Sequence, residues 1–442
     1  MFQTIKNAWK TPELKSKILF TLLILLLYRL GANIPVPFID ADLMSNFSDN
    51  MSGLFSYMNL LSGGAFAQGT LFALNVSPYI TASIVVQLLT IALPPLERWA
   101  KEGEAGRKKL TALTRWMTIG LAVAMAVGYT VMLDTGFQST DGTYVSYLTN
   151  VGPEWLRWLV IIACFVAGSS LIMWLADRVN ERGIGNGVSM ILFANILSRF
   201  FALLGSVWTM TFTLGGFAGF SAWGLVKSVL SLVITLAIVV IIIWFTESER
   251  RIPIQYAKRQ VGRKMYGGQS SNLPLKMNMA GVMPVIFASS IVSIPATIAT
   301  FIPSSGFATF VNKWFNYDSW LYLVINIVLI FLFSYFYIMI SFNPVEVSNN
   351  IRNQGGSVPG IRPGKPTAEY ITRILGRITT LGAVFLAFIA GFPMLINIIF
   401  GSSFTGIAFG GTSLLIVVGV ALETFRSLES QLAMRNYKGF LD

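Results

Sequence analysis

Apolar runs of about 18–25 residues recur along this chain, and each is long enough to cross a bilayer as a helix. No other feature limits the fold so strongly. About ten such spans fall near residues 18–34, 75–93, 112–133, 156–176, 187–204, 223–245, 280–302, 319–342, 376–398 and 408–426. The composition agrees: 54% of the 442 residues are hydrophobic and 12% are charged. A soluble domain carries about twice that charged fraction. The expected fold is an all-α polytopic membrane protein.

The first span follows MFQTIKNAWKTPELKSK, which resembles the basic start of a signal peptide. The bulky, rigid GANIPVPFID behind it offers no small-residue cleavage site, so the segment is expected to stay as an uncleaved span. Orientation follows from Lys and Arg. All but five of them (Arg29, Arg157, Arg199, Lys227 and Lys313) sit at the N-terminus, in every second connection, or at the C-terminus. Both termini are therefore expected on the cytoplasmic side. This bias also accounts for the net charge of +12 without nucleic-acid binding. Two long loops, 246–279 and 343–375, belong to that side, and the first connection, 35–74, to the other. Five spans fall in 1–205 and five in 206–442. An odd number per half allows two inverted halves around a central pore, although no sequence repeat supports this.

Much chemistry is missing. There is no histidine, and the one cysteine, Cys164, lies inside an apolar run, so no metal or disulfide framework is expected. No GxxxxGK[ST], HExxH or GxSxG motif occurs. GIGNG at 183–187 follows the charged turn DRVNER rather than a strand and reads as a turn entering the fifth span. No catalytic residue, cofactor or metal site is expected, and the chain is not expected to be an enzyme. The central parts of the spans hold no clear ionisable group; Arg29 and Glu423 lie near span ends, where snorkelling is cheap. The polar residues within are Ser77, Thr81, Ser83, Gln87, Asn186, Ser189 and Asn195. They suit an aqueous path or helix contacts, not a proton relay.

One stretch fits neither span nor surface loop. LLSGGAFAQGTLFALNVSPYI, residues 60–80, is too apolar for a loop, and Gly63, Gly64 and Gly69 make it a poor spanning helix. By itself it reads as an interfacial loop or as a soft, hinged piece buried at membrane depth against protein.

Several motifs together resemble the SecY protein-translocation channel family. They are SGGAFAQGTLFAL–SPYITASIVVQLL (62–89), EGEAGRKKLT (102–111), ERGIGNGVSMILFA (181–194), YAKRQVGRKMYGGQSSNLPLKMNMAGVMPVIFASS (256–290), VPGIRPGKPTAEYI (358–371) and FGGTSLLIVV (409–418). The resemblance implies an hourglass pore with a short re-entrant helix, the plug, near 60–72. Its residues would be Ser62, Gly63, Gly64, Ala65, Phe66, Ala67, Gln68, Gly69 and Thr70, small enough to sit loosely and be displaced. It implies an aliphatic pore ring of Val76, Ile80, Val188, Leu192, Ile286 and Ile416. Within the ring, Val76/Ile80 and Val188/Leu192 are spaced i, i+4 and share a helix face. Isoleucine is common in the family at 76 and 188, so valine there loosens the ring slightly. The residues alone would place these aliphatics in lipid or core.

A lateral gate between the second and third spans and the seventh and eighth would release membrane segments into lipid. Ser83, Gln87 and Asn186 match polar positions near it. Interhelical hydrogen bonds in membranes are worth about 0.6 kcal/mol on average, a modest bias toward closure. In loop 246–279, alternating RRIPIQYAKRQVGRKMYGG predicts a projecting β-hairpin. Arg250, Arg251, Lys258, Arg259, Arg263 and Lys264 there, with Arg362 and Lys365 in the second loop, form an expected docking surface for ribosomal RNA or a motor protein. Prolines 359 and 363 stiffen the loop that presents Arg362.

The function this implies is a passive protein-conducting channel in the bacterial cytoplasmic membrane. It would pass unfolded secretory polypeptides, recognise signal sequences and release membrane segments laterally. Work would come from the SecA ATPase or a translating ribosome, and SecE-like and SecG-like subunits would complete the channel. The rival is a secondary transporter of a small solute, which the basic loops and the lack of buried ionisable groups disfavour.

Overall fold

The computed structural model describes residues 2–40, 42–44, 58–59, 61–138, 144–149, 151–198, 222–256, 259–261, 264–266, 270–301, 306–315, 319–400 and 411–438. Within them the chain is a helical bundle. Its helices are α1 (Phe2–Lys10), α2 (Pro12–Gly31), α3 (Ser77–Ala92), α4 (Pro94–Lys101), α5 (Glu104–Thr135), α6 (Glu154–Arg182) and α7 (Gly187–Ser198). The remainder are α8 (Ala222–Glu247), α9 (Met283–Phe301), α10 (Gly306–Trp314), α11 (Trp320–Ser341), α12 (Pro344–Asn353), α13 (Lys365–Phe400) and α14 (Gly411–Lys438). Each expected span overlaps a helix: α2, α3, α5, α6, α7, α8, α9, α11, α13 and α14. Among the described residues, α5, α6, α11, α13 and α14 are long and apolar enough to cross a membrane; α3 with α4 is a sixth candidate, bent by 101°.

Local chemistry sets several boundaries. Ser319 opens α11 by accepting the Tyr322 N–H at 3.2 Å. Asn343 opens α12 by accepting the N–H groups of Val345 and Glu346, and Pro344 follows in the first turn, where no amide donor is missed. The bend between α3 and α4 falls at Leu93, immediately before Pro94 and Pro95, which cannot continue the α3 ladder.

The main core gathers aliphatic and aromatic side chains from α2, α3, α6, α7, α8, α9, α11, α13 and α14. The outside is apolar as well. Leu22, Leu26 and Leu30 on α2, Leu236 and Val240 on α8, and Val328 and Leu332 on α11 are all exposed. A helix apolar on every side has lipid for solvent, which makes the chain a multi-pass membrane protein.

After α5, β1 (Phe137–Gln138) pairs antiparallel with β2 (Tyr144–Val145), and further along the chain the two long loops fold into one body. β3 (Glu249–Tyr256) pairs antiparallel with β6 (Ser270–Lys276), from Glu249↔Lys276 to Gln255↔Ser270. β7 (Gly356–Ser357), from the other loop, adds to the free edge of β3 at Gln255 and Tyr256. Beyond them, β4 (Arg259–Val261) and β5 (Lys264–Tyr266) form the hairpin tip. Ile252, Ile254 and Leu275 point from one face of this sheet into a cluster with Ile351, Val358, Ile371 and Leu375. At the other end of the bundle the first connection is sewn down. Thr70 bridges Pro35, and the Asp40 backbone N–H donates to the Tyr147 carbonyl at 3.0 Å. A smaller core there joins Val36, Phe66, Leu74, Tyr129, Tyr147 and Phe165.

Candidate functional site

Helices α3, α7, α9 and α14 bring the six ring residues to the middle of the bundle. Val76, Ile80, Leu192, Ile286 and Ile416 are buried in the main core, and Val188 packs against it. A cavity of about 30 Å³ lies on the plug side, walled by Ile80, Leu192, Ile286 and Ile416 with Met58 and Leu61 above them. That is room for about two waters. Of the hydroxyls that line it, those of Thr81, Ser289 and Ser290 each donate to the carbonyl four residues back. A larger cavity, about 280 Å³, opens toward the two loops and is lined by Ile286, Asn278, Tyr337, Lys276, Glu423 and Arg426. Ile286 belongs to both walls, so its side chain stands between the two cavities. Burial, and then the charge of Arg426, push the Lys276 ammonium below the usual lysine range; Glu249, Glu423 and Glu247 oppose this.

Leu61, next to the expected plug residues, lines the small cavity, and the segment 62–70 differs from the expectation in two ways. Residues 62–69 form successive turns, not a regular helix. They are also not loosely held. All of 62–70 are buried or half-buried except Gln68. Ser62 Oγ accepts the Phe66 N–H at 3.0 Å, and Asn59 Oδ1 accepts the Ala67 N–H at 3.1 Å. Arg29 Nη1 donates to the Gly63 carbonyl at 3.2 Å, and the Tyr129 hydroxyl donates to the Phe66 carbonyl. Glycines open the backbone to bonds with side chains as readily as they permit hinging, and these turns leave their carbonyls free for them. Gly63, at φ +67°, has the left-handed backbone that glycine adopts most easily. Gly168 on α6 serves the same segment, since a Cβ there would lie 2.0 Å from the Leu71 carbonyl oxygen.

The anchors Tyr28, Asn59, Asn75, Tyr129 and Asn195 were not singled out as plug contacts in the sequence. The available signal was physical: Asn195 sits within an apolar run, and a buried amide needs partners. Arg29, expected to snorkel, instead holds the plug backbone.

The lateral-gate residues have local partners. Gln87 Nε2 donates to Ser83 Oγ at 3.4 Å within α3. Asn186 caps α7, its carboxamide oxygen accepting the Val188 N–H at 3.1 Å. The helices expected to flank the gate do meet, with α9 packed on α3 and α5. Of the residues expected to form a docking surface, Arg250, Arg251, Arg362 and Lys365 are exposed. Arg251 pairs with Glu249 at 2.6 Å. Arg259 lies on β4 and Lys264 on β5. Lys258 and Arg263 lie outside the described residues.

A helical bundle with apolar outer faces, two internal cavities that share the wall at Ile286, and a turn-forming segment folded back against its core has the architecture of a membrane channel. The sequence profile of the SecY family matches residues 70–425, and the chain belongs to that family. It is 42% identical to the protein translocase subunit SecY of Streptomyces coelicolor, with both chains covered fully. Its fold is that of the SecY/Sec61 channels. One similar structure is a SecY whose plug domain is described as stabilising the closed state of the translocation channel and maintaining a membrane seal. It has TM-score 0.61 and 17% identity, and the match covers 94% of this chain and 92% of that one. Another is Sec61 in the canine ribosome-channel complex from the endoplasmic reticulum, with TM-score 0.58, 17% identity and coverage of 94% and 92%.

Proposed function

We propose that this chain is the pore subunit of a protein-conducting channel, not an enzyme, and that residues 62–70 are its plug. The observation that carries this reading is the constriction. Aliphatic side chains from four helices, Ile80, Leu192, Ile286 and Ile416, meet around a cavity with room for about two waters, which Leu61 beside the plug residues also lines. Branched aliphatics impose no fixed hydrogen-bond pattern, so they close around any passing side chain and exclude ions by dewetting when nothing passes. Unfolded secretory chains pass through, and membrane segments leave sideways between α3/α5 and α9/α11.

The channel sits in the bacterial cytoplasmic membrane with both termini and the two sheet-forming loops in the cytoplasm. The halves 1–205 and 206–442 move against each other, held by a SecE-like subunit and accompanied by a SecG-like one. Arg250, Arg251, Arg259, Lys264, Arg362 and Lys365 receive the SecA motor or a ribosome, which supply the work. A small-solute transporter has no specific observation in its favour.

The test uses liposomes holding this chain with its SecE-like subunit, to which SecA, ATP and a radiolabelled secretory precursor are added. Protease protection of the precursor that requires both SecA and ATP is the expected result. Absence of protection, beside a control channel active with the same motor and precursor, overturns the reading.

A further inference from the structure

Helix α7 carries more than the ring. Val188, Leu192 and Asn195 recur at i, i+4 and i+7, so they share one face. Leu192 walls the small cavity at the constriction. Asn195, one turn further on, is fully buried. Its Nδ2 donates to the Tyr28 hydroxyl on α2 at 2.8 Å and to Asn75 Oδ1 at 3.2 Å. The Tyr28 hydroxyl in turn donates to Asn75 Oδ1 at 3.3 Å. Asn75 stands at the elbow before α3 with left-handed backbone, φ +52°, and its Nδ2 donates to the Leu61 carbonyl at 2.8 Å. Leu61 and Asn75 bracket the plug, so this bond ties its two ends together, and Asn195 ties that knot to α2 and α7. The plug backbone also lies against the same amide: a Cβ on Gly63 would stand 3.1 Å from Asn195 Oδ1.

Among the described residues, Asn195 Oδ1 has no hydrogen-bond partner. A buried acceptor left unmet is a cost that water removes when the site opens. The knot thus holds the closed arrangement while carrying a term that favours release, as a two-state latch requires.

Resting on the reading of 62–70 as the plug, we infer that Asn195 is a positioning residue that couples the ring to the plug. Leu192 and Asn195 ride on one rigid helix. A displacement of α7 that widens the constriction draws the Asn195 amide away from Tyr28 and Asn75, so ring and plug let go together.

The experiment records the resting ion conductance of the full chain with its SecE-like subunit in planar bilayers, beside thermal unfolding of each variant. Asn195→Ala is expected to raise the resting conductance about eight-fold, the shift that two interhelical hydrogen bonds of average strength give. Tyr28→Phe, which keeps the ring and removes only the hydroxyl, is expected to raise it less, with little change in unfolding temperature. In a channel lacking residues 62–70, Asn195→Ala is expected to add nothing.

An unchanged conductance in folded Asn195→Ala overturns the inference. So does an equal further rise in the plugless background, because Asn195 would then act on the ring alone. If Asn195→Ala does not fold, an unchanged conductance in Tyr28→Phe overturns it instead. A deletion of 62–70 that is itself silent is a different failure, that of the plug reading beneath.

Discussion

Two glycines show how single positions hold the segment 62–71 in place. At Gly63 the backbone is left-handed, at φ +67°, and a Cβ would stand 2.8 Å from Arg29 Nη1. A non-glycine residue in that conformation costs on the order of 1–2 kcal/mol. The arginine end can swing aside, but it then abandons the Gly63 carbonyl. Gly63→Ala is therefore expected to lower the unfolding temperature slightly and to make the resting pore leak. Paired scanning calorimetry and conductance records check this. At Gly168 the obstacle is backbone: the Leu71 carbonyl oxygen lies 2.0 Å from the position a Cβ would take. Gly168→Ala is expected to lose far more stability than Gly120→Ala, where nothing lies within 4 Å of the added carbon and the helix gains about 1 kcal/mol of propensity. Equal unfolding temperatures for the two would show that α6 does not press on the plug segment as described.

At the scale of elements, the sheet outside the bundle joins two loops far apart in sequence. Its inward face depends on alternate residues of β3, where Ile252 and Ile254 are buried and Arg251, Pro253 and Gln255 are exposed. Ile254→Asp places a carboxylate among Ile351, Val358 and Ile371, a burial that side chains of this kind cannot compensate. Both loops are expected to become sensitive to trypsin together, because β7 leans on β3. Cleavage confined to 246–279 would show that the loops fold separately. Arg362 is a different case. It is exposed, and its own carbonyl accepts a bond from Thr367 Oγ1 at 2.9 Å that a side-chain change does not disturb. Arg362→Glu should keep the wild-type unfolding temperature and weaken SecA-driven export, measured as protected precursor. Normal export by that variant removes the docking role.

Over the whole molecule, the proposed ring and the proposed plug act as separate seals in series. Leu61, beside the plug residues, lines the small cavity, and Ile286 lines both that cavity and the larger one. Deleting 62–70 removes the upper seal and leaves the aliphatic partition and the docking sheet in place. The expected channel still moves precursor, at a reduced level, and conducts ions at rest. The same liposomes report both properties, and a tight deletion variant would count against the plug. The inverted-halves architecture belongs to this scale too, and disulfide trapping across α3 and α9 during translocation tests whether the halves part there.

The sequence by itself determined the elements. Apolar length is a local property, and each expected span overlaps a helix; alternation is local as well, and it located β3 before its partners were known. The residues near 60–80 stood out because glycine-rich apolar chain suits neither lipid nor water. Only the tertiary structure decided which faces turn inward. In a membrane, lipid-facing and core-facing residues are equally apolar, so periodicity does not separate Leu192 from the exposed Leu197 on the same helix. The plug's anchors were hidden for a related reason. Asn195 meets Tyr28 across 167 residues of sequence and Asn75 across 120. A buried amide announces that it needs partners, and only the packing of α2, α3 and α7 around one point supplies them.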